Sequence, residues 1–236
     1  MIDVNLKHYL LNKYFSLEFK AKRFVRGQDY PGEIQHFIWM EYFSLEDKRK
    51  LLGDFAPEAS VMDTYGIVED ELKRCDAKTL MNRILYLDMK FFLENNGLFQ
   101  VDRATMAHSL EARVPLLNAR LLDKMFKVPF DFKYYKGQSK YPLRQAIRSM
   151  LPNRVFVKPK KGFGPPVSSW LRTFLKGFLL ETLSKSQLSH TPLSYTFISR
   201  MIDEHLKGEA DHGRALWLVL IFQIWWNKYQ SGSLVR

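Results

Sequence analysis

The sequence predicts a mainly α-helical protein, and three observations carry that reading. Apolar residues recur at three- and four-residue steps over long stretches, as one buried helix face requires. Several of these stretches open on proline, serine or acidic residues suited to a helix start. No alternating run is long enough to commit to a strand; "RVFV" and "ARVPLL" come nearest and are too short.

Taken in order, "VNLKHYLLNKYFSLEFKAKRFV" (4–25) is the first amphipathic repeat. "PGEIQHFIWMEYF" (31–43) opens with proline and an early glutamate. Ser44 is placed to cap "LEDKRKLL", where Glu46 and Asp47 suit the positive end of the helix dipole. "DAKTLMNRILYLDMKFFL" (76–93) follows with Asp76 as its cap, Asn95-Asn96-Gly97 breaks the pattern, and "LFQVDRATMAHSLEA" (98–112) resumes it. Later helices are expected at Ala119–Lys127, Lys140–Met150, Val167–Leu183, Tyr195–Lys207 and His212–Tyr229. The last contains "ALWLVLIFQIWW", apolar all round but well short of the roughly 20 residues a membrane span needs, so it reads as a buried helix.

The 236 residues are 46% apolar and 14% aromatic, which suits a packed core and argues against disorder. A single cysteine, Cys75, excludes an internal disulfide framework and a cysteine metal cage. No charged-then-apolar leader opens the sequence, so a cytoplasmic address is expected, with no membrane and no nucleic-acid motif. The net charge of +11 is concentrated. Between Phe132 and Leu180 there is no acidic residue but eleven basic ones, equal to the whole excess. Such a band attracts polyanions or nucleotide phosphates, and equally suits a region separated from an acidic neighbour.

Two stretches are dense in chemistry. In "VDRATMAHSLEARVPLL", Asp102, Arg103, Glu111 and Arg113 stand in an apolar setting, and charges buried there must be paired, so a mutually satisfied structural network is expected. "VKPKKGFGPP" sets Lys158, Lys160 and Lys161 among glycines and prolines that can form neither helix nor strand. It is either a solvated basic linker or a cationic arm over an anionic centre.

These stretches, with "GQSKYPLRQAIRSMLP" and "DEHLKGEADHGRALW", resemble the asparagine synthetase family from about Lys20 to Trp226. The resemblance implies the helical C-terminal part of an adenine-nucleotide-hydrolase-like (ATP-pyrophosphatase) α/β synthetase domain, a single incomplete domain over 1–236. It also implies an ATP-dependent amide ligase: aspartate is activated as an acyl-adenylate, and ammonia from a glutaminase domain attacks it. The family's loop lysine maps onto Lys160, in a loop shaped by Lys161, Gly162, Phe163 and Gly164. A cation there would stabilise charge developing beside the AMP phosphate.

Departures from the family pattern are Gln100 for a common lysine, Asn118 for an aspartate, and Asn95-Asn96 for an acidic pair. The "SGGxDS" loop that cradles pyrophosphate and the "GDE…GY" element linked to magnesium do not occur; "SGS" at Ser231–Ser233 matches by composition only. A glutaminase domain with its N-terminal cysteine is missing too, since Ile2 follows Met1. The chain therefore reads as the last part of a synthetase, inactive without an N-terminal partner portion that binds ATP and Mg. The alternative is a non-catalytic helical module that binds a protein partner or polyanion through its basic band.

Other signals point to structure. His205, His212 and the acids around them lack metal-ligand spacing, with Gly208 interrupting the helix between the histidines. His108 reads as a core histidine, and Tyr134-Tyr135 lack a nucleic-acid motif around them.

Overall fold

The structure, a computed structural model, describes residues 24–55, 65–157 and 164–229. It is mainly helical. The first expected helix, 4–25, lies outside the described residues except for its last two positions. Helix α1 (Gly32–Met40) starts directly after Pro31 with Glu33 in its first turn. Helix α2 (Leu45–Leu52) starts at Ser44 in a complete capping box: Ser44 Oγ accepts from the Asp47 N–H at 3.0 Å, and Asp47 Oδ2 accepts from the Ser44 N–H at 3.1 Å. Two otherwise orphan amides are satisfied at once.

Helix α3 (Gly66–Lys73) precedes α4 (Leu80–Leu87), which is capped by Thr79 and not by Asp76. From Asp88 to Leu98 the backbone widens into a π-helix and continues as α5 (Phe99–Met106). Asn95-Asn96-Gly97, expected to break the helix, lies within the widened segment. There the Asn95 side chain donates to the Lys90 carbonyl at 2.9 Å, and Gln100 donates to Asn96 Oδ1 at 2.6 Å. The first of these bonds reaches a backbone carbonyl of the widened segment, and the second joins two side chains along it.

After a short 3-10 turn at Pro115–Leu117 comes α6 (Ala119–Lys127), capped by Asn118 Oδ1 accepting from the Arg120 N–H at 3.0 Å. Helix α7 (Phe130–Lys133) leads into a two-residue hairpin, β1 (Tyr134–Tyr135) paired antiparallel with β2 (Gln138–Ser139). Lys136 and Gly137 between them both have positive φ, the type I′ geometry that suits strand twist. Helices α8 (Tyr141–Ala146) and α9 (Arg154–Val157) follow; the Lys140–Met150 helix is shorter than expected, and "RVFV" is a helical turn.

The expected Val167–Leu183 helix divides into α10 (Val167–Arg172) and α11 (Lys176–Thr182), and α12 (Lys185–Leu188) comes next. Helix α13 (Tyr195–Lys207) is capped by Ser194 and stops at Gly208, whose φ of +74° is the left-handed stop anticipated there. Helix α14 (Gly213–Tyr229) is the last among the described residues.

The chain packs as two compact units: Met1–Ile67 with Phe163–Arg236, and Val68–Gly162. The first unit holds the main core, in which Leu171, Leu179, Ile198, Leu216 and Leu220 are almost wholly buried. Each such side chain contributes about 1.5–3 kcal/mol by leaving water. Leu51 of α2 packs on this cluster, and its carbonyl accepts the Ser194 N–H at 2.7 Å. Helix α14 buries Leu216, Val219 and Leu220 but leaves Leu218, Ile221 and Trp225 exposed. It is covered on one face only, and the all-round burial expected from its composition does not occur among the described residues.

The second unit is organised differently. Among the described residues its fully buried apolar side chains are Val68 and Leu87, while Phe99, Met106, Leu110, Phe132 and Met150 are exposed. Polar contacts tie it together. Tyr86 donates to Glu71, Lys133 Nζ donates to Asn82 Oδ1 at 2.8 Å, and Arg144 donates to the Phe156 carbonyl. The Glu71 hydrogen bond, with burial adding to it, holds the Tyr86 hydroxyl's pKa up at about 12.

Candidate functional site

In sequence, the boundary between the two units falls between Gly162 and Phe163, within the basic stretch. Lys158, Lys160, Lys161, Gly162 and Phe163 lie outside the described residues, whereas Gly164 is described and half-buried. The structure does define what the loop is attached to. Upstream, α9 is held by Arg144, whose guanidinium donates to the Phe156 carbonyl and lies 5.7 Å from that residue's ring centroid. Downstream, Pro165 and Pro166 lead directly into α10.

Helix α10 is fastened to the first unit by a buried polar cluster. Arg172 Nε donates to the His205 carbonyl at 2.8 Å, and Arg172 Nη2 lies 3.1 Å from His205 Nδ1. A guanidinium has only donors, so Nδ1 must accept. The ring proton therefore sits on Nε2, which donates to the Ser168 carbonyl at 3.2 Å. Ser168 Oγ donates to Asp211 Oδ1 at 2.8 Å, and the same oxygen accepts from the Gly213 N–H at 3.1 Å. Asp211 Oδ1 also stands 3.8 Å from Arg172 Nη2 and 3.6 Å from His205 Nδ1.

His205 is fully buried. Burial, helped by the adjacent Arg172 charge, brings its pKa down from its ordinary value to about 4, with Asp211 and the Ser168 carbonyl opposing. The ring is neutral at pH 7. Burial also lowers the Arg172 pKa, against the pull of Asp211. The backbones come close here: a Cβ on Gly213 would lie 2.2 Å from Ser168 Oγ and 2.6 Å from its Cα. Outside the cluster, His212 Nε2 meets Glu204 Oε2 at 2.5 Å.

The model of the Asparagine synthase family matches residues 3–227. The chain belongs to this family. Curated members agree. Over 191 residues the chain is 34% identical to a Mycobacterium tuberculosis H37Rv protein that carries the name of a glutamine-hydrolysing asparagine synthetase, covering 79% of the chain and 28% of that protein. It is 29% identical over 178 residues to Bacillus subtilis glutamine-hydrolysing asparagine synthetase 1, with 75% and 28% covered. Against the rat asparagine synthetase the identity is 25% over 136 residues, half of the chain and 24% of the relative. The chain thus spans about a quarter of the length of these relatives. No solved structure matches.

Within this asparagine synthase family chain, the charged motif of the middle segment is laid out in the open. Asp102, Arg103, Glu111 and Arg113 are all exposed. Glu111 and Arg113 pair at 2.9 Å, and Arg103 lies 5.2 Å from the Phe99 ring centroid, but among the described residues the four do not close into one network. The expected pairing rested on burial, and charges in water do not need it. His108, read as a core histidine, is likewise exposed, in the turn beyond α5 with Nδ1 3.1 Å from the Ala104 carbonyl. The Tyr134-Tyr135 pair forms an exposed strand, where Lys136 caps the Tyr135 ring at 5.4 Å.

Among the described residues, no group of three or more His, Cys, Asp or Glu side chains could hold a metal ion. No helix among them is long and apolar enough to cross a membrane. The His205 cluster escaped the sequence reading, which treated His205 and His212 as one motif. Its decisive partner, Arg172, is 33 positions away and is brought in by the fold.

Proposed function

We propose that this chain is the C-terminal part of an ATP-dependent amide ligase resembling glutamine-hydrolysing asparagine synthetase. In that reaction a side-chain carboxylate oxygen of aspartate attacks the α-phosphorus of ATP and pyrophosphate leaves. Glutamine-derived ammonia then attacks the acyl carbon of the adenylate, an oxyanion forms and collapses, and AMP departs, leaving asparagine. Lys160 supplies the cation that neutralises the anionic centre, an effect of several kcal/mol where donors are preorganised. Family membership over residues 3–227 is the observation that carries the reading. The quarter-length coverage supports placing ATP, magnesium, aspartate and the glutaminase activity on a portion outside this chain.

The test is aspartate-dependent ATP–pyrophosphate exchange and asparagine formation by this chain mixed with a nucleotide-binding portion bearing the "SGGxDS" loop. The expected result is recovery of both, with asparagine formation strongly reduced, but still measurable, in Lys160→Ala. No recovery in any mixture argues against the ligase, and unchanged asparagine formation in Lys160→Ala removes that residue from the mechanism.

A second reading has an observation of its own. Lys136, Lys140, Arg148 and Arg154 of the basic band are exposed, and a binding module would use them toward an acidic partner. Binding of a polyanion by the chain alone, weakening steeply with added salt, would favour it.

A further inference from the structure

The basic loop enters the first unit through Pro165, Pro166 and α10, so the placement of α10 sets where the loop begins. Lys160 is seven residues before Val167, and so lies within about 25 Å of it at full extension. Helix α10 is only six residues long and has no side-chain cap. A helix that short is not stable by itself. What holds it are the buried Val167 and Leu171 and the polar cluster on Ser168 and Arg172.

The cluster is costly to build. It places an arginine, an aspartate and a histidine where water is largely excluded, and a hydrophobic replacement of similar volume is often as stable. What an apolar contact does not supply is a fixed angle. The Arg172 fork grips both the carbonyl and the ring of one residue, and Ser168 is held from both sides: its carbonyl by His205, its hydroxyl by Asp211. Gly213 lets the start of α14 close against the same residue. Four independent contacts thus fix both the rotation and the axial position of one and a half turns of helix.

We infer that Arg172, His205, Asp211 and Ser168 form a positioning device for the reaction, holding α10 so that the loop bearing Lys160 leaves the first unit from one defined point. They are positioning residues and touch neither substrate nor nucleotide in this role. The inference rests on the Lys160 reading above.

A double-mutant cycle in the assembled synthetase tests it, read as turnover per active site. Arg172→Lys keeps the charge and loses the two-pronged grip. It is expected to lower kcat about ten-fold with the KM values for ATP and aspartate little changed, because misplacement of a reacting group costs rate more than binding. In a Lys160→Ala background the same change should alter the residual turnover less than about two-fold, since the coupled term is already gone. Equal losses in both backgrounds overturn the inference and leave Lys160 in place. A Lys160→Ala enzyme as active as the parent overturns the Lys160 reading, and the inference with it.

Amide exchange on the chain alone reads the anchor without any activity. In Arg172→Lys the 164–173 peptide should exchange about ten-fold faster, while peptides from 195–204 keep their rate. Unchanged exchange at 164–173 overturns the inference. Should Arg172→Lys fail to fold, His205→Asn is judged by the same criteria.

Discussion

His205 shows how much one ring can carry when its hydrogen-bond roles are fixed. The groups facing it are Arg172 from α10, Asp211 and His212 from the α13–α14 turn, and the Ser168 carbonyl. Protonation would put a second donor on Nδ1 against the Arg172 donor. As pH falls from the ordinary histidine value near 6.5, the unfolded chain takes up the proton first, while the folded ring resists until about 4. Stability is therefore full above that upper value and declines through the window below it. Between pH 7 and pH 5 the loss from this group is about 2 kcal/mol. Thermal melts should show this slope in the parent and a shallower one in His205→Asn; parallel curves would remove His205 as the source.

Gly213 belongs to the same scale. Gly213→Ala drives a methyl group into the Ser168 backbone, and is expected to cost at least about 2 kcal/mol in a denaturant titration. Ser168→Ala should not rescue it, because the clash includes the Ser168 Cα.

Among the elements, those with purely local start and stop signals behave as read. Helix α2 begins at its Ser44 capping box, and Ser44→Ala should lower stability by about 1 kcal/mol by urea unfolding. Helices α6 and α13 occupy the expected spans, Ala119–Lys127 and Tyr195–Lys207, and the structure adds a Ser194 cap to the second, which stops at Gly208. Where the sequence misled, the reason is a change of period or a distant contact. A 3.6-residue repeat does not distinguish α from π winding, so Asn95-Asn96-Gly97 reads as a break when it is part of a wider coil. Exposure is not local either. The apolar neighbours of Asp102 and Glu111 predicted burial, but Val101, Leu110 and Val114 are themselves exposed. Of the candidate site, the loop and its lysines were legible as a motif, whereas the Arg172–His205 anchor requires knowing that α10 lies beside α13.

The π segment carries an element-level expectation of its own. Deleting Asn96 would favour α winding and turn α5 by about 100° relative to α4, one residue's rotation. Helix content by circular dichroism should survive, while the melting transition of the second unit broadens or falls.

For the whole molecule, the contrast between the units matters most. The first has a continuous buried core, and the second leaves Phe99, Leu110, Phe132 and Met150 in contact with solvent. Exposed apolar side chains drive association where they adjoin one another. In solution the chain should sediment faster with rising concentration and bind a hydrophobic dye, and added nucleotide-binding portion should suppress both. A monomer at all concentrations that takes up no dye would mean that these side chains are too scattered to associate. The same division has a practical consequence. All five tryptophans (Trp39, Trp170, Trp217, Trp225 and Trp226) fall in the first unit, and the one thiol, Cys75, falls in the second, partly accessible. A dye attached to that thiol would take excitation energy from indoles that all belong to the opposite body. The unaltered chain is therefore already wired as its own ruler, able to report in real time whether the two bodies swing when substrates arrive.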